Sequence, residues 1–265
     1  MSDVFFERDG ESFVPTELTR GPWDPGAQHA GPPAALLGRA IEGMGPEGDD
    51  PHSPAPRVGR VTCEILRSIP IAPLTVATRV LRPGRRVELV EARLNGADGE
   101  VMRATAWRLR PTPVDLPAEL PSGEPPPGPD TGATTDFFPT GESVGYHTAM
   151  EYRFVAGAFL EPGPATVWMR MRHPLVDGEA PSALQRVLIA ADSGNGVSAT
   201  LDWRRYLFIN VDLTVQLHRL PEGDWVCLDA ITVPEPTGVG LSDTALHDER
   251  GPIGRATQTL LVAER

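Results

Sequence analysis

The strongest constraint in this 265-residue sequence is that its two halves repeat. Arg103-Ala104-Thr105-Ala106-Trp107 recurs as Arg255-Ala256-Thr257-Gln258-Thr259, 152 positions later, after comparable turns (NGADGEVM and HDERGPIG). A second segment, Ile65-Leu66-Arg67-Ser68-Ile69-Pro70, matches Gln216-Leu217-His218-Arg219-Leu220-Pro221 at an offset of 151. A chain that repeats once at about half its length is expected to build one supersecondary unit twice and pack the copies together.

The elements within each half agree with that expectation. A helix is expected at about Pro32–Gly43, with prolines at its opening turn, where a missing N–H costs nothing, and glycine at its end. A second is expected at about Ser182–Ser193, where Ser182 and Gln185 have capping-box spacing and Val187–Ala191 is apolar on nearly every face. Such a helix must be covered on most sides. After each helix come alternating, β-branched runs (VTCEILRSI, LTVATRVLR, RVELVEARLN, EVMRATAWRLR, then ATLDWRRYLFIN, DLTVQLHRL, DWVCLDAITV, PIGRATQTLLV). Their turns are rich in Gly, Pro and Asp, so antiparallel strands are expected. The predicted fold is α+β, with each half an antiparallel sheet curled around one helix.

The Pro-rich stretch from Pro111 to Thr135 cannot continue a helix or pair as a central strand, and it divides the chain near its midpoint. The expected organisation is a first unit at 1–112, a linker at 113–139 and a second unit at 140–265. A shorter loop of similar character follows the first helix at 43–56. The formal charge of −12 argues against nucleic acid as a partner. Cys63 and Cys227 lie in separate apolar runs, and the six histidines lack ligand spacing, so neither a disulfide framework nor a metal site is expected. The N-terminal segment does not read as a signal peptide, and no apolar run is long enough to span a bilayer; a cytoplasmic location is the expectation.

Four segments carry a family resemblance: QHAGPPAALLGRA (28–40), LIAADSGNG (188–196), FINVDLTVQLHR (208–219) and GPIGRATQTLL (251–261). In this order they resemble the double-hotdog acyl-CoA thioesterases related to acyl-CoA thioesterase II, and the likeness covers nearly the whole chain. The resemblance implies a tandem double hotdog that hydrolyses acyl-CoA without metal or cofactor. It places the catalytic acid at Asp192, the water-binding position at Asn210, where the family usually has a hydroxyl, and the catalytic glutamine at Gln258. It also puts backbone N–H groups near Ala30 and Gly31, at the start of the first helix, against the thioester oxygen. The family's H-G-G opening is altered here to His29-Ala30-Gly31.

The chemistry fits these residue types. Thioesters are activated enough for water to attack directly. A carboxylate at the end of an apolar helix is a reasonable general base, contributing on the order of 10²–10⁴ in rate. The first half has Ala106 where the second has Gln258, and its helix offers only Glu42 for Asp192, so one site per chain is expected. His29 reads as a structural hydrogen-bonding residue. The G-x-S-x-G match at Gly141–Gly145 lacks the preceding strand of a nucleophile elbow and reads as a loop. Two alternatives remain: a hotdog hydratase or dehydratase, which needs a carboxylate–His pair that Asp192 lacks in sequence, and a non-catalytic acyl-CoA or acyl-carrier binding protein. A homodimer is the expected assembly.

Overall fold

The computed structural model describes residues 3–45, 54–117 and 123–265; most of the 43–56 loop and part of the linker lie outside them. The first half contains β1 (Phe6–Asp9), β2 (Ser12–Pro15), α1 (Gly31–Glu42), β3 (Arg57–Ile65), β4 (Leu74–Arg82), β5 (Val87–Gly96) and β6 (Gly99–Leu109). The second contains α2 (Tyr146–Ala149), β7 (Met150–Ala158), β8 (Glu161–Met171), α3 (Ala183–Ala191), α4 (Gly194–Val197), β9 (Tyr206–Asn210), β10 (Asp212–Leu217), β11 (Val226–Pro234), β12 (Val239–Asp248) and β13 (Gly251–Glu264).

The described strands form one sheet in the order β1-β2-β4-β5-β6-β3-β10-β13-β12-β11-β8-β7, with β9 on β13. The order reads the same from either end: β3 and β10 meet at the centre, and each flank continues with its equivalents. Thr62 pairs with Thr105 in the first half, Thr214 with Thr257 in the second, and Thr62 with Thr214 across the join. The Thr214 and Thr62 hydroxyls hydrogen-bond at 3.2 Å. Residues 152 apart are thus related by a local twofold axis, on which Thr62 and Thr214 meet.

The offset of 151 does not hold within the strands. At 152, Glu64 matches Gln216, and both are exposed; a one-residue slip would send every side chain to the opposite face. Strand residues keep 152, and the shift arises in the following loop, which has four residues before Pro70 and three before Pro221.

Helices α1 and α3 lie against each other on the inner face of the sheet. Pro32 and Pro33 occupy the opening turn of α1, while the Ser182 hydroxyl caps α3 by accepting the Gln185 N–H at 3.1 Å. The same hydroxyl donates to Glu42 at 2.6 Å, so the reciprocal partner at this cap is the end of α1 and not the Gln185 side chain. Val187, Leu188, Ile189, Ala190 and Ala191 are all buried, as an apolar run on every face requires. The expected long strand at 199–210 is shorter, since residues 202–205 turn before β9 begins at Tyr206.

The helices approach closely because glycine permits it. A Cβ at Gly31 would stand 2.5 Å from the Ile189 carbonyl oxygen, and one at Gly38 would stand 2.4 Å from the Leu188 side chain. Gly31→Ala is therefore expected to destabilise the fold by about 1–3 kcal/mol, as overpacking does. At about 2–4 °C per kcal/mol, a thermal melt reads this directly; an unchanged melting temperature would mean the two helices can separate without cost.

Candidate active site

A cavity of about 420 Å³ opens between the halves. Its polar end is formed by His29 and Ala30, at the start of α1, together with Asp192, Asn195 and Asn210. Its apolar wall is aromatic: Trp23, Phe137, Phe138, Tyr152, Phe159 and Phe208. Phe137 and Phe138 belong to the Pro-rich crossing and pack against Phe159 at ring-centre distances of 4.6 and 5.7 Å. The segment expected to serve as a linker is therefore also a wall.

Asp192 ends α3, where helix carbonyls already make the surroundings negative. Three donors offset this. Asn210 Nδ2 donates to Oδ1 at 2.8 Å and Gln258 Nε2 to the same oxygen at 3.2 Å, while His29 Nδ1 lies 3.0 Å from Oδ2. The carboxylate is almost fully buried, its side chain 3% exposed.

The residues singled out in sequence thus come together, with unequal access to the cavity. Asn210, on β9, lines it. Gln258, on β13, is buried behind Asp192 and does not line it: Nε2 also reaches the Asp192 carbonyl at 3.1 Å, and Oε1 accepts the Asn195 N–H at 3.0 Å. With both ends of its amide taken, Gln258 holds the carboxylate and the α3–α4 corner. Ala30 lines the cavity, whereas Gly31 does not, its nitrogen lying 3.1 Å from His29 Nδ1. Ser143, of the G-x-S-x-G segment, lies in a loop and does not line the cavity.

Sequence reasoning did not anticipate Tyr146, and it gave His29 a structural part without Asp192. The His29 ring stacks on Tyr146, with centroids 3.8 Å apart and planes 9° from parallel. The Tyr146 hydroxyl donates to the Ile189 carbonyl at 2.6 Å and lies 2.9 Å from Ser193 Oγ. Burial pushes its pKa far up, so it stays protonated and serves as a fixed platform. The sequence signals for His29 were its place beside the helix start and at the head of the altered H-G-G opening.

At the twofold-related place the first half has Ala40 for Asp192, Val58 for Asn210 and Ala106 for Gln258. Glu42 is not the counterpart; its carboxylate is at the α3 cap, where burial raises its pKa. Buried Arg108 occupies this region instead, donating to the carbonyls of Ile41 at 2.9 Å and Met44 at 2.7 Å and pairing with Glu88 at 2.8 Å. Among the described residues no group of metal-ligating side chains is assembled, and no helix is long and apolar enough to cross a membrane.

Comparison with solved structures finds the same fold at low identity. A candidate thioesterase II from Thermobifida fusca is 18% identical with a TM-score of 0.74, covering 98% of this chain and 97% of the other. The TesB protein of Mycobacterium avium subsp. paratuberculosis is 15% identical with a TM-score of 0.64, covering 97% and 95%. Acyl-CoA thioesterase II TesB2 of Mycobacterium marinum is 14% identical with a TM-score of 0.63, covering 98% and 94%. No curated protein matches the sequence. A hotdog-fold protein from Alicyclobacillus acidocaldarius aligns equally completely, which makes the architecture a double hotdog. Residues 19–109 match the acyl-CoA thioesterase N-terminal domain and residues 117–262 its C-terminal domain: the chain belongs to the acyl-CoA thioesterase family.

Proposed function

We propose that this protein hydrolyses acyl-CoA thioesters to the free acid and CoA, with water activated as a nucleophile at the Asp192 centre. The observation that carries the reading is a buried carboxylate, held by Asn210, Gln258 and His29, at the polar end of an aromatic-walled cavity. The acyl group lies along Phe137, Phe138 and Phe159, and the thioester carbonyl sits beside Ala30. Asn210 takes the place of a hydroxyl and keeps one amide end for water while the other holds Asp192. Polar groups placed before the reaction supply most of the stabilisation such a transition state needs.

His29 beside Asp192 supplies the pair that a hydratase would require, so its absence from the sequence neighbourhood does not argue against that reaction. The family match over both halves favours hydrolysis. Free-thiol release from acyl-CoAs of increasing chain length tests the proposal. The expected result is turnover that depends on chain length, with an optimum set by the aromatic wall. Binding without thiol release across the panel would make the protein an acyl-CoA carrier, and hydration of an enoyl-CoA in its place would make it a hydratase.

A further inference from the structure

We infer that His29 Nε2, and not the Asp192 carboxylate, takes the proton from the attacking water, and that Asp192 acts by holding the imidazole. The inference rests on the thioester-hydrolysis reading and names the acting base within it.

Asp192 has both carboxylate oxygens engaged by protein donors, Oδ1 by Asn210 and Gln258 and Oδ2 by His29, and only 3% of its side chain is exposed. His29 lines the cavity with 16% of its side chain exposed. Its Nδ1 edge faces Asp192 and Gly31, and one ring face is covered by Tyr146. The ring therefore presents its far edge to the cavity, and among the described residues no group hydrogen-bonds Nε2.

Nδ1 lies 3.0 Å from Asp192 Oδ2 and 3.1 Å from the Gly31 nitrogen, and one ring nitrogen either donates or accepts. A carboxylate oxygen accepts, so toward Asp192 Nδ1 donates. A charge-assisted bond is about twice as strong as a neutral one, so the Asp192 contact prevails over that to Gly31. With hydrogen on Nδ1 the neutral ring keeps its lone pair on Nε2, facing the cavity. An aspartate that fixes the tautomer of a catalytic imidazole is an arrangement known from serine hydrolases, reached there on unrelated folds.

The steps balance. Nε2 accepts a proton from water as the water oxygen bonds to the thioester carbon, giving a tetrahedral oxyanion and an imidazolium held by Asp192. The intermediate collapses with cleavage of the C–S bond, and Nε2–H returns its proton to the departing sulfur. The products are the acid, which ionises in solvent, and CoA thiol.

The test compares wild type, His29→Ala and His29→Asn by thiol release from the best acyl-CoA of the panel. Asparagine keeps an N–H where Nδ1 stands and lacks Nε2. Both variants are expected to lose at least about 100-fold in kcat with KM changed only a few-fold, and added imidazole is expected to restore part of the activity of His29→Ala. If His29→Asn retains a third or more of wild-type kcat, His29 only positions Asp192 and the inference falls while thioester hydrolysis stands. Absence of turnover in the wild type across the panel would remove both. Should the variants fail to fold, diethyl pyrocarbonate treatment of the wild type with mass mapping decides. Activity that falls in step with modification of His29 supports the inference, and activity that survives complete modification there overturns it.

Discussion

Asp192→Asn is expected to lower kcat for thioester hydrolysis by about 10²–10⁴ with little change in KM. The substitution preserves shape and removes the charge, and it leaves the site with an amide that cannot satisfy three donors at once. Its oxygen must face Asn210 and Gln258, which only donate there, so its NH₂ turns toward His29. Nδ1 then accepts, the ring proton moves to Nε2, and the base is lost from the cavity. In the proposed pose the acyl chain touches none of this, so binding is expected to be spared. Thiol-release kinetics together with a circular-dichroism melt check the prediction. A loss under tenfold in a folded variant would mean that the reaction does not depend on this carboxylate.

Arg108→Ala carries the largest expected stability effect, about 3–5 kcal/mol, because it leaves Glu88 buried without its partner. It also removes a donor from the Ile41 carbonyl and from that of Met44 at the end of α1. That is a large share of the roughly 5–15 kcal/mol by which proteins are stable. Replacing both members of the pair with leucine is expected to recover much of the loss, since a buried ion pair gains little over well-packed apolar groups. Urea denaturation of the single and double variants reads both. If Arg108→Ala costs under about 1 kcal/mol, water reaches Glu88 in the variant.

The contrast between the two halves explains what was legible in sequence. The repeat could be read because strands keep their faces: Glu64 and Gln216 stay outward, and Thr62 and Thr214 meet at the axis. The one-residue slip at Pro70 and Pro221 could not be resolved, since a loop deletion and a register shift look alike until pairing partners are known. The helices announced themselves through Pro32-Pro33 and Ser182, whose effects are local. Of the site, Asp192, Asn210 and Gln258 were legible only through resemblance. Nothing near position 192 points to position 29, and the contact exists because α1 and α3 cross at Gly31. Tyr146 was hidden for the same reason, lying in a short helix that sequence periodicity does not mark. Arg108 sat unnoticed in an alternating strand, although its inward position makes it the most conspicuous charge of the first half.

The aromatic wall contributed by the crossing segment bears on how a duplicated gene acquires selectivity. Two separate copies of the repeat, associating through β3 and β10, would have the same continuous sheet and the same carboxylate, but no Phe137 or Phe138 beside it. Fusion thus did more than join two copies: the peptide that splices them became part of the cavity wall. A change in the length of that splice is expected to alter substrate choice even when every residue around Asp192 is untouched, a route by which related chains could diversify by editing a connector while their chemistry stays fixed.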